Sequence, residues 1–202
     1  MEVSTKPFLE WGVATFALAG ASLSGDRHVV LPTPKGVLVG VVDGLGHGQE
    51  AAAAADIAVA TLCHHAEEAL IGVFQQCHAR LRRTRGVVMS LASFTRAHGT
   101  MTWMGIGNVA GLVCRARATG GPRYSSLLLR GGVVGSHLPP LYATSLPVMP
   151  GDTLMFATDG IRSDYAEGLR TAGRPQQIAD SMLARYSKGS DDALVLIARY
   201  MG

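Results

Sequence analysis

The sequence predicts a layered α+β domain, and three observations carry that expectation. Short runs rich in β-branched and aromatic residues, broken by glycine, proline or polar residues, fill the start, middle and end of the chain. Two stretches with helical spacing follow one another after Gly48, and another precedes the last apolar run. The connections through the middle are of hairpin length, which favours antiparallel pairing of the strands they join.

Taken in order, residues 13–19 read as the first strand, and "GASLSGD" turns into a second strand through residues 29–31. "PTPKG" is turn chemistry. Residues 37–42 are apolar at consecutive positions, so this third strand is buried on both faces. A helix begins at Gln49 and Glu50, where an acidic side chain suits the positive end of the helix dipole, and runs to about residue 68. A second helix over residues 69–83 carries Leu70, Phe74, Cys77 and Leu81 on one face. From Gly86 the pattern returns to strands: "GVVMSLASF", "GTMTWMGIG", "VAGLVCRA", "RYSSLLLR", "LYATSLPV" and, after a Pro-Gly turn at Pro150, "DTLMFATD". Residues 175–186 read as a third helix with proline in its first turn, and "DDALVLIARY" closes the chain as a strand. No repeat, low-complexity tract or linker divides residues 1–202, which are expected to form one domain.

Composition narrows the function. A chain of 202 residues, 48% hydrophobic and 16% charged, is that of a globular protein rather than a disordered one. Its apolar runs stay below the roughly 18 residues of a membrane span, and its first residues lack a secretory leader pattern. Three scattered cysteines (Cys63, Cys77, Cys114) fit a reducing cytoplasm and give neither a disulfide framework nor a zinc site. His64 and His65, beside Cys63, read as solvated or packed side chains. The formal charge of +3 is mild. Arg80, Arg82, Arg83 and Arg85 cluster at a helix end without an aromatic platform, so they read as a solvated last turn and not as a nucleic-acid interface. "GIGNVAG" resembles a dinucleotide loop only faintly. It leads into a strand where a phosphate-binding loop needs a helix, so Gly107 and Asn108 read as a turn. Trp11, Trp103, Met101 and Met104 read as packing residues.

What stands out is a set of carboxylates at the seams between turns and apolar strands. Asp43 ends "VGVVDG", Asp159 ends "LMFATDG", Asp26 follows the glycine of "LSGD", and Asp191 and Asp192 open the last strand. Aspartate and glycine are ordinary turn residues taken singly. Taken jointly, converging carboxylates would repel one another, and each buried unpaired charge costs several kcal/mol. Such a cluster persists when its members protonate or a cation neutralises them. All-oxygen ligation selects a hard cation such as Mg²⁺ or Mn²⁺, and glycine after Asp43 would let the Gly44 carbonyl join the ligands. Two such ions about 3.5–4 Å apart acidify a shared water and clamp a displacement at phosphorus. The chain has no G-x-S-x-G elbow, in agreement with a water nucleophile.

The motifs "SGD", "VVDGLGHG", "FATDGI" and "SDDALVLI", in this order, resemble those of the metal-dependent type-2C (PPM) serine/threonine phosphatases. Within them the chain is most similar to the short SpoIIE-like bacterial branch and its RsbX-type stressosome phosphatases, through "CHARLRRTRGVVMSL" and "IGNV". The resemblance spans nearly the whole chain. It implies a four-layer α-β-β-α sandwich with two mostly antiparallel central sheets and two metal ions, Mn²⁺ or Mg²⁺, at one edge. Carried over by motif, Asp43 would bridge both ions, the Gly44 carbonyl would hold one, Asp159 and Asp191 would hold one, and Asp26 would sit near the other through water. Asp192 is the weaker ligand of its pair. Asp43, Asp159 and Asp191 would form the catalytic set.

The pattern departs from many members at Leu45, where they carry a histidine. His47, two residues on, reads first as a turn or surface histidine and second as a stand-in. Ser163 stands where some members carry a further acid, with Asp164 one residue late. The implied function is a cytoplasmic, monomeric phosphoprotein phosphatase acting on phosphoserine or phosphothreonine of STAS-domain regulatory proteins, as a feedback reset of stress signalling. Its rivals are a non-catalytic module that grips a phosphorylated or STAS-domain partner, and a phosphatase of small phosphate esters.

Overall fold

The computed structural model describes residues 7–18, 23–117, 123–168 and 170–202. In chain order the described elements are β1 (Leu9–Phe16), β2 (Asp26–Thr33), β3 (Gly36–Gly44), α1 (Gln49–His65), α2 (Leu70–Leu81), β4 (Val87–Thr95), β5 (Thr100–Ile106), β6 (Ala110–Cys114), β7 (Tyr124–Ser126), β8 (Thr144–Pro147), β9 (Thr153–Ala157), α3 (Tyr165–Gly168), α4 (Pro175–Tyr186) and β10 (Ala193–Tyr200). They build two five-stranded sheets, ordered β1-β10-β9-β6-β7 and β2-β3-β4-β5-β8. Neighbouring named strands pair antiparallel throughout.

The period-2 pleat divides each central strand between two apolar layers. On β3, Val39 and Val41 face Phe94, Trp103, Phe156 and Leu196 in the core between the sheets. Its alternate residues Leu38 and Val42 face α1 and α2, packing with Ala55, Ala58, Leu62 and Phe74. On the far side, Val195 and Ile197 of β10 meet Ile178, Ala179 and Met182 of α4. The result is the α-β-β-α sandwich, with apolar residues at consecutive β3 positions because both its faces are covered.

Several boundaries differ from the sequence expectation. β1 starts at Leu9, because residues 9–12 already pair with the end of β10; position 19 of the expected strand lies outside the described residues, as does part of "GASLSGD". "PTPKG" is not all turn. Pro32 and Thr33 finish β2, which tolerates proline because it is an edge strand, and only Pro34 and Lys35 make the turn. α1 stops at His65 and α2 at Leu81, so Arg82, Arg83 and Arg85 lie beyond the helix. "RYSSLLLR" contributes three residues to its sheet, and α3 was not expected.

Topology brings the strand ends together. Asp26 opens β2 and Asp43 lies near the end of β3; the antiparallel register pairs them directly. β9 and β10 are antiparallel neighbours, so the end of one and the start of the other share an edge of the second sheet. The two sheets stack with β2 against β10 and β3 against β9.

Candidate metal centre at the seam of the two sheets

At that shared edge a cavity of about 370 Å³ is lined by Asp26, Asp43, Asp159, Asp191 and Asp192, together with Leu45, Gly46, His47, Val88 and Asn108. Five carboxylates from both sheets thus face one space, and among the described residues no lysine or arginine lines it.

Each carboxylate is held differently. Asp26 is buried and accepts a hydrogen bond from the Thr158 hydroxyl at 2.9 Å. The same hydroxyl accepts from the Leu194 N–H at 2.9 Å, which locks its rotor. Burial pushes Asp26 up to about 7; Thr158 opposes the rise, and the charges of Asp192, Asp159 and Asp191 reinforce it. Among the described residues no side chain donates a hydrogen bond to Asp43. Burial first, then Asp26, Asp159, Asp191 and Asp192, push it up to about 8. Asp159 and Asp191 are exposed. The Asn108 amide donates to Asp159 at 2.8 Å, and Asp191 accepts from the Asp192 N–H at 2.9 Å. Asp192 is buried with both oxygens engaged. One oxygen takes the Leu18 N–H and the other the Gly25 N–H, both at 2.9 Å. It fastens the strand entering β2 and so positions Asp26.

Two glycines let this edge close. A Cβ on Gly160 would sit 1.9 Å from the Asp192 carbonyl oxygen, and one on Gly44 would sit 2.1 Å from the Ala51 carbonyl oxygen of α1. At Gly44 the closely approaching group is therefore helix backbone. Gly44 is buried, donates its N–H to the Gly25 carbonyl at 3.2 Å, and does not line the cavity. His47 does line it, exposed between Gly46 (φ 92°) and Gly48 (φ 75°). Asp164 instead pairs with Arg162 at 3.2 Å, away from the cavity wall.

The wall fits a hard divalent cation in its chemistry. Its donors are oxygens, among the described residues no basic side chain lines it to offset their charge, and burial with mutual repulsion raises Asp26 and Asp43 to about 7 and about 8, a cost that a cation would relieve. Among the described residues no group of three or more histidine, cysteine, aspartate or glutamate side chains is placed closely enough to hold a metal ion, so the carboxylates line the space without converging on one point. Asp26, Asp43, Asp159 and Asp191 are the groups with lone pairs to offer. Asn108 and Thr158 were not singled out as site residues by sequence. Asn108 gave a signal as a turn residue after Gly107, whereas an interior strand-end threonine gives none.

The sequence model of the Stage II sporulation protein E family (SpoIIE) matches residues 33–201. Curated protein sequences give no match. Among solved structures, one described under "The bacterial stressosome: a modular system that has been adapted to control secondary messenger signaling" is 29% identical, with 95% of this chain and 99% of that chain covered and a TM-score of 0.85. RsbX in complex with magnesium is 19% identical, with 96% of each chain covered and a TM-score of 0.84. The catalytic domain of the serine/threonine phosphatase PstP with two manganese ions is 16% identical, with 96% and 99% covered and a TM-score of 0.73. The last two likenesses establish the fold. With the family match spanning most of its length, the chain belongs to the SpoIIE family and has the PPM phosphatase fold.

Proposed function

We propose that this protein is a phosphoprotein phosphatase dependent on Mn²⁺ or Mg²⁺, hydrolysing phosphoserine or phosphothreonine with water as the nucleophile. The observation that carries the reading is the wall itself: five aspartates from two sheets around one cavity, with no lysine or arginine among its described lining residues. Asp43, Asp159 and Asp191 form the catalytic ligand set, with Asp26 beside them and the Gly44 carbonyl as a further ligand if the backbone turns toward the cavity. Two hard cations held there would supply charge for the phosphoryl oxygens and an acidified water. The chain's own part is to fix four carboxylates at strand ends, with Asp192 and Thr158 holding the strands and Asn108 orienting Asp159.

Likeness to a stressosome protein and to RsbX supports substrates among phosphorylated STAS-domain regulators, and a role as feedback reset of stress signalling. As part of the same proposal, the protein acts in the cytoplasm as a monomer, with residues 1–202 as one phosphatase domain. Among the described residues no helix is long and apolar enough to cross a membrane. The test is release of phosphate from a phosphoserine STAS-domain protein with and without Mn²⁺. Asp43→Asn is expected to lower turnover more than about 100-fold; full activity in that variant refutes the mechanism.

The open spacing of the carboxylates favours one second reading, a non-catalytic module that grips a phosphorylated partner. Titration with Mn²⁺ separates the two. A cation that neutralises the wall raises the melting temperature, and a flat response favours the module.

A further inference from the structure

The arginines beyond α2 contribute nothing to the carboxylate cavity, yet they stand beside it. Arg82 caps α2, and Arg83, Thr84 and Arg85 lead into β4. This is a fixed turn. The Thr84 hydroxyl donates to the Leu81 carbonyl at 2.8 Å and accepts the Gly86 N–H at 3.0 Å. The Gly86 carbonyl in turn accepts the Leu45 N–H at 3.1 Å, tying the turn to the cavity wall. An Arg85 Nη atom lies 2.8 Å from where a Cβ on Gly46 would stand, and Gly46 lines that wall.

On the other side of Arg85 is a second cavity of about 470 Å³, lined by Glu50, Ala53, Ala54, Arg83, Thr84 and Arg85. Arg85 is paired there with Glu50, and both side chains are more than half exposed. Among the described residues Arg83 forms no ion pair. The second cavity thus holds two guanidinium groups against one carboxylate, and its lining contains no aromatic ring on which a base would stack.

The two cavities adjoin, as a peptide site requires. Val88 of β4 lines the carboxylate cavity and Arg85, three residues earlier, lines the second, with the turn at Gly86 (φ 82°) between them. A small phosphate ester bound in the first cavity carries no flanking side chain to place in the second. An extended segment with its phosphoresidue in the first cavity sets side chains two or three positions away over the arginines.

We propose that Arg83 and Arg85 dock acidic residues flanking the phosphorylated residue of a protein substrate, so that acidic phosphoprotein segments are selected over small esters. This rests on the phosphatase reading for what happens next, and on the arginine geometry alone for binding. The Glu50 carboxylate holds the substrate carboxylate's place in the free protein. A substrate carboxylate that takes the place of Glu50 can meet the guanidinium in the two-bond geometry that arginine favours.

The experiment uses two phosphoserine peptides, one with aspartates two and three residues from the phosphoserine and one with alanines there, and labelled versions carrying a phosphonate that resists hydrolysis. Hydrolysis gives kcat and KM, and fluorescence anisotropy gives Kd for the phosphonates. The wild-type protein is expected to favour the acidic peptide about tenfold in KM and Kd with similar kcat. The preference falls toward one in the Arg83→Ala/Arg85→Ala protein, is partly kept in Arg83→Lys/Arg85→Lys, and shrinks as salt rises from about 50 to about 500 mM. The lysine pair and the salt series carry the test if the alanine pair does not fold. Equal handling of both peptides by the wild type, or a preference surviving in the alanine pair, overturns the proposal. An oligonucleotide that binds more tightly than the acidic peptide overturns the assignment to protein. If neither phosphopeptide is hydrolysed while the phosphonates keep the arginine-dependent preference, the phosphatase reading falls and the docking site stands.

Discussion

Thr158 connects the chemistry of the cavity to the ladder behind it. Its hydroxyl donates to Asp26 and accepts from the Leu194 N–H, so one side chain satisfies a buried carboxylate and a buried amide. Thr158→Val keeps the shape and removes both bonds. Leaving a buried donor unpaired costs about 1–3 kcal/mol, to be read as a lower urea midpoint. Asp26 also loses the bond that opposes its upward shift. It then binds a proton more firmly, and more Mn²⁺ is needed for half-saturation. An unchanged midpoint together with an unchanged Mn²⁺ requirement would show that the hydroxyl does neither job. At this scale the sequence is legible where a residue type is unusual for its place. Asp43 and Asp159 each end an apolar run and precede glycine. Thr158, one residue earlier, is indistinguishable from any strand threonine. The same reading also has no way to reject Asp152. It too sits between a turn and an apolar strand, but at the opposite end of β9. There it is buried against Arg115 at 2.7 Å and accepts the Ala116 and Met149 N–H groups, a structural carboxylate with its charge already paired.

The elements matter through where they end, and the junction of β9 with β10 is the tightest of these ends. Gly160 follows β9 so closely packed on the start of β10 that a methyl group there would overlap the Asp192 carbonyl oxygen and approach the Ala193 Cβ to 2.9 Å. The obstructing atoms are mostly backbone, which cannot swing aside. Gly160→Ala is therefore expected to cost about 1–3 kcal/mol. It should also shift Asp192, and with it the Leu18 and Gly25 amides it holds. Gly131→Ala is the control, because a Cβ there meets nothing within 4 Å and the change should stay within about 0.5 kcal/mol. Equal denaturation midpoints for the two variants would dispose of the close-approach account. Strand existence was legible from β-branched runs and glycine breaks, and α1, α2 and α4 from their spacing. Strand partners were less so. β5 and β6 are joined by a hairpin-length turn yet belong to different sheets, because the chain crosses the seam at Gly107 with φ 96°. Length alone cannot tell a hairpin from such a crossing. This crossing also delivers Asn108 to Asp159, so the connection hardest to read from sequence is one that completes the site.

At the scale of the whole molecule, the sandwich accepts a carboxylate edge that works against its own stability until a cation arrives. Without metal, Asp26 and Asp43 hold protons up to about pH 7 and 8, while the unfolded chain releases them near 3.8. The stability tied to these two groups is fully present below the unfolded value and is lost as pH rises through the folded values. His28, lowered by burial from 6.5, gives the opposite slope below about pH 7, and Cys77 and Cys114, pushed by burial from 9.0 up to about 12, add to the fall above about pH 8, so the window from about pH 7 to 8 belongs chiefly to the aspartates. A native excess of about one proton corresponds to about 1 kcal/mol per pH unit, or about 2–4 °C for a chain of this size. The metal-free protein is thus expected to melt progressively lower from about pH 7 to 8. Cation binding must displace those same protons, so affinity for Mn²⁺ tightens over the same range and the melting-temperature gain on adding it grows. A grid of thermal scans over pH, with chelator and with Mn²⁺, checks both slopes at once. Opposite slopes are what a shared set of buried carboxylates requires. A metal-free melting temperature that holds level or climbs, or a Mn²⁺ gain that ignores pH, would mean that protons and cations do not compete for these aspartates, and the metal centre would have to be sought elsewhere on the fold.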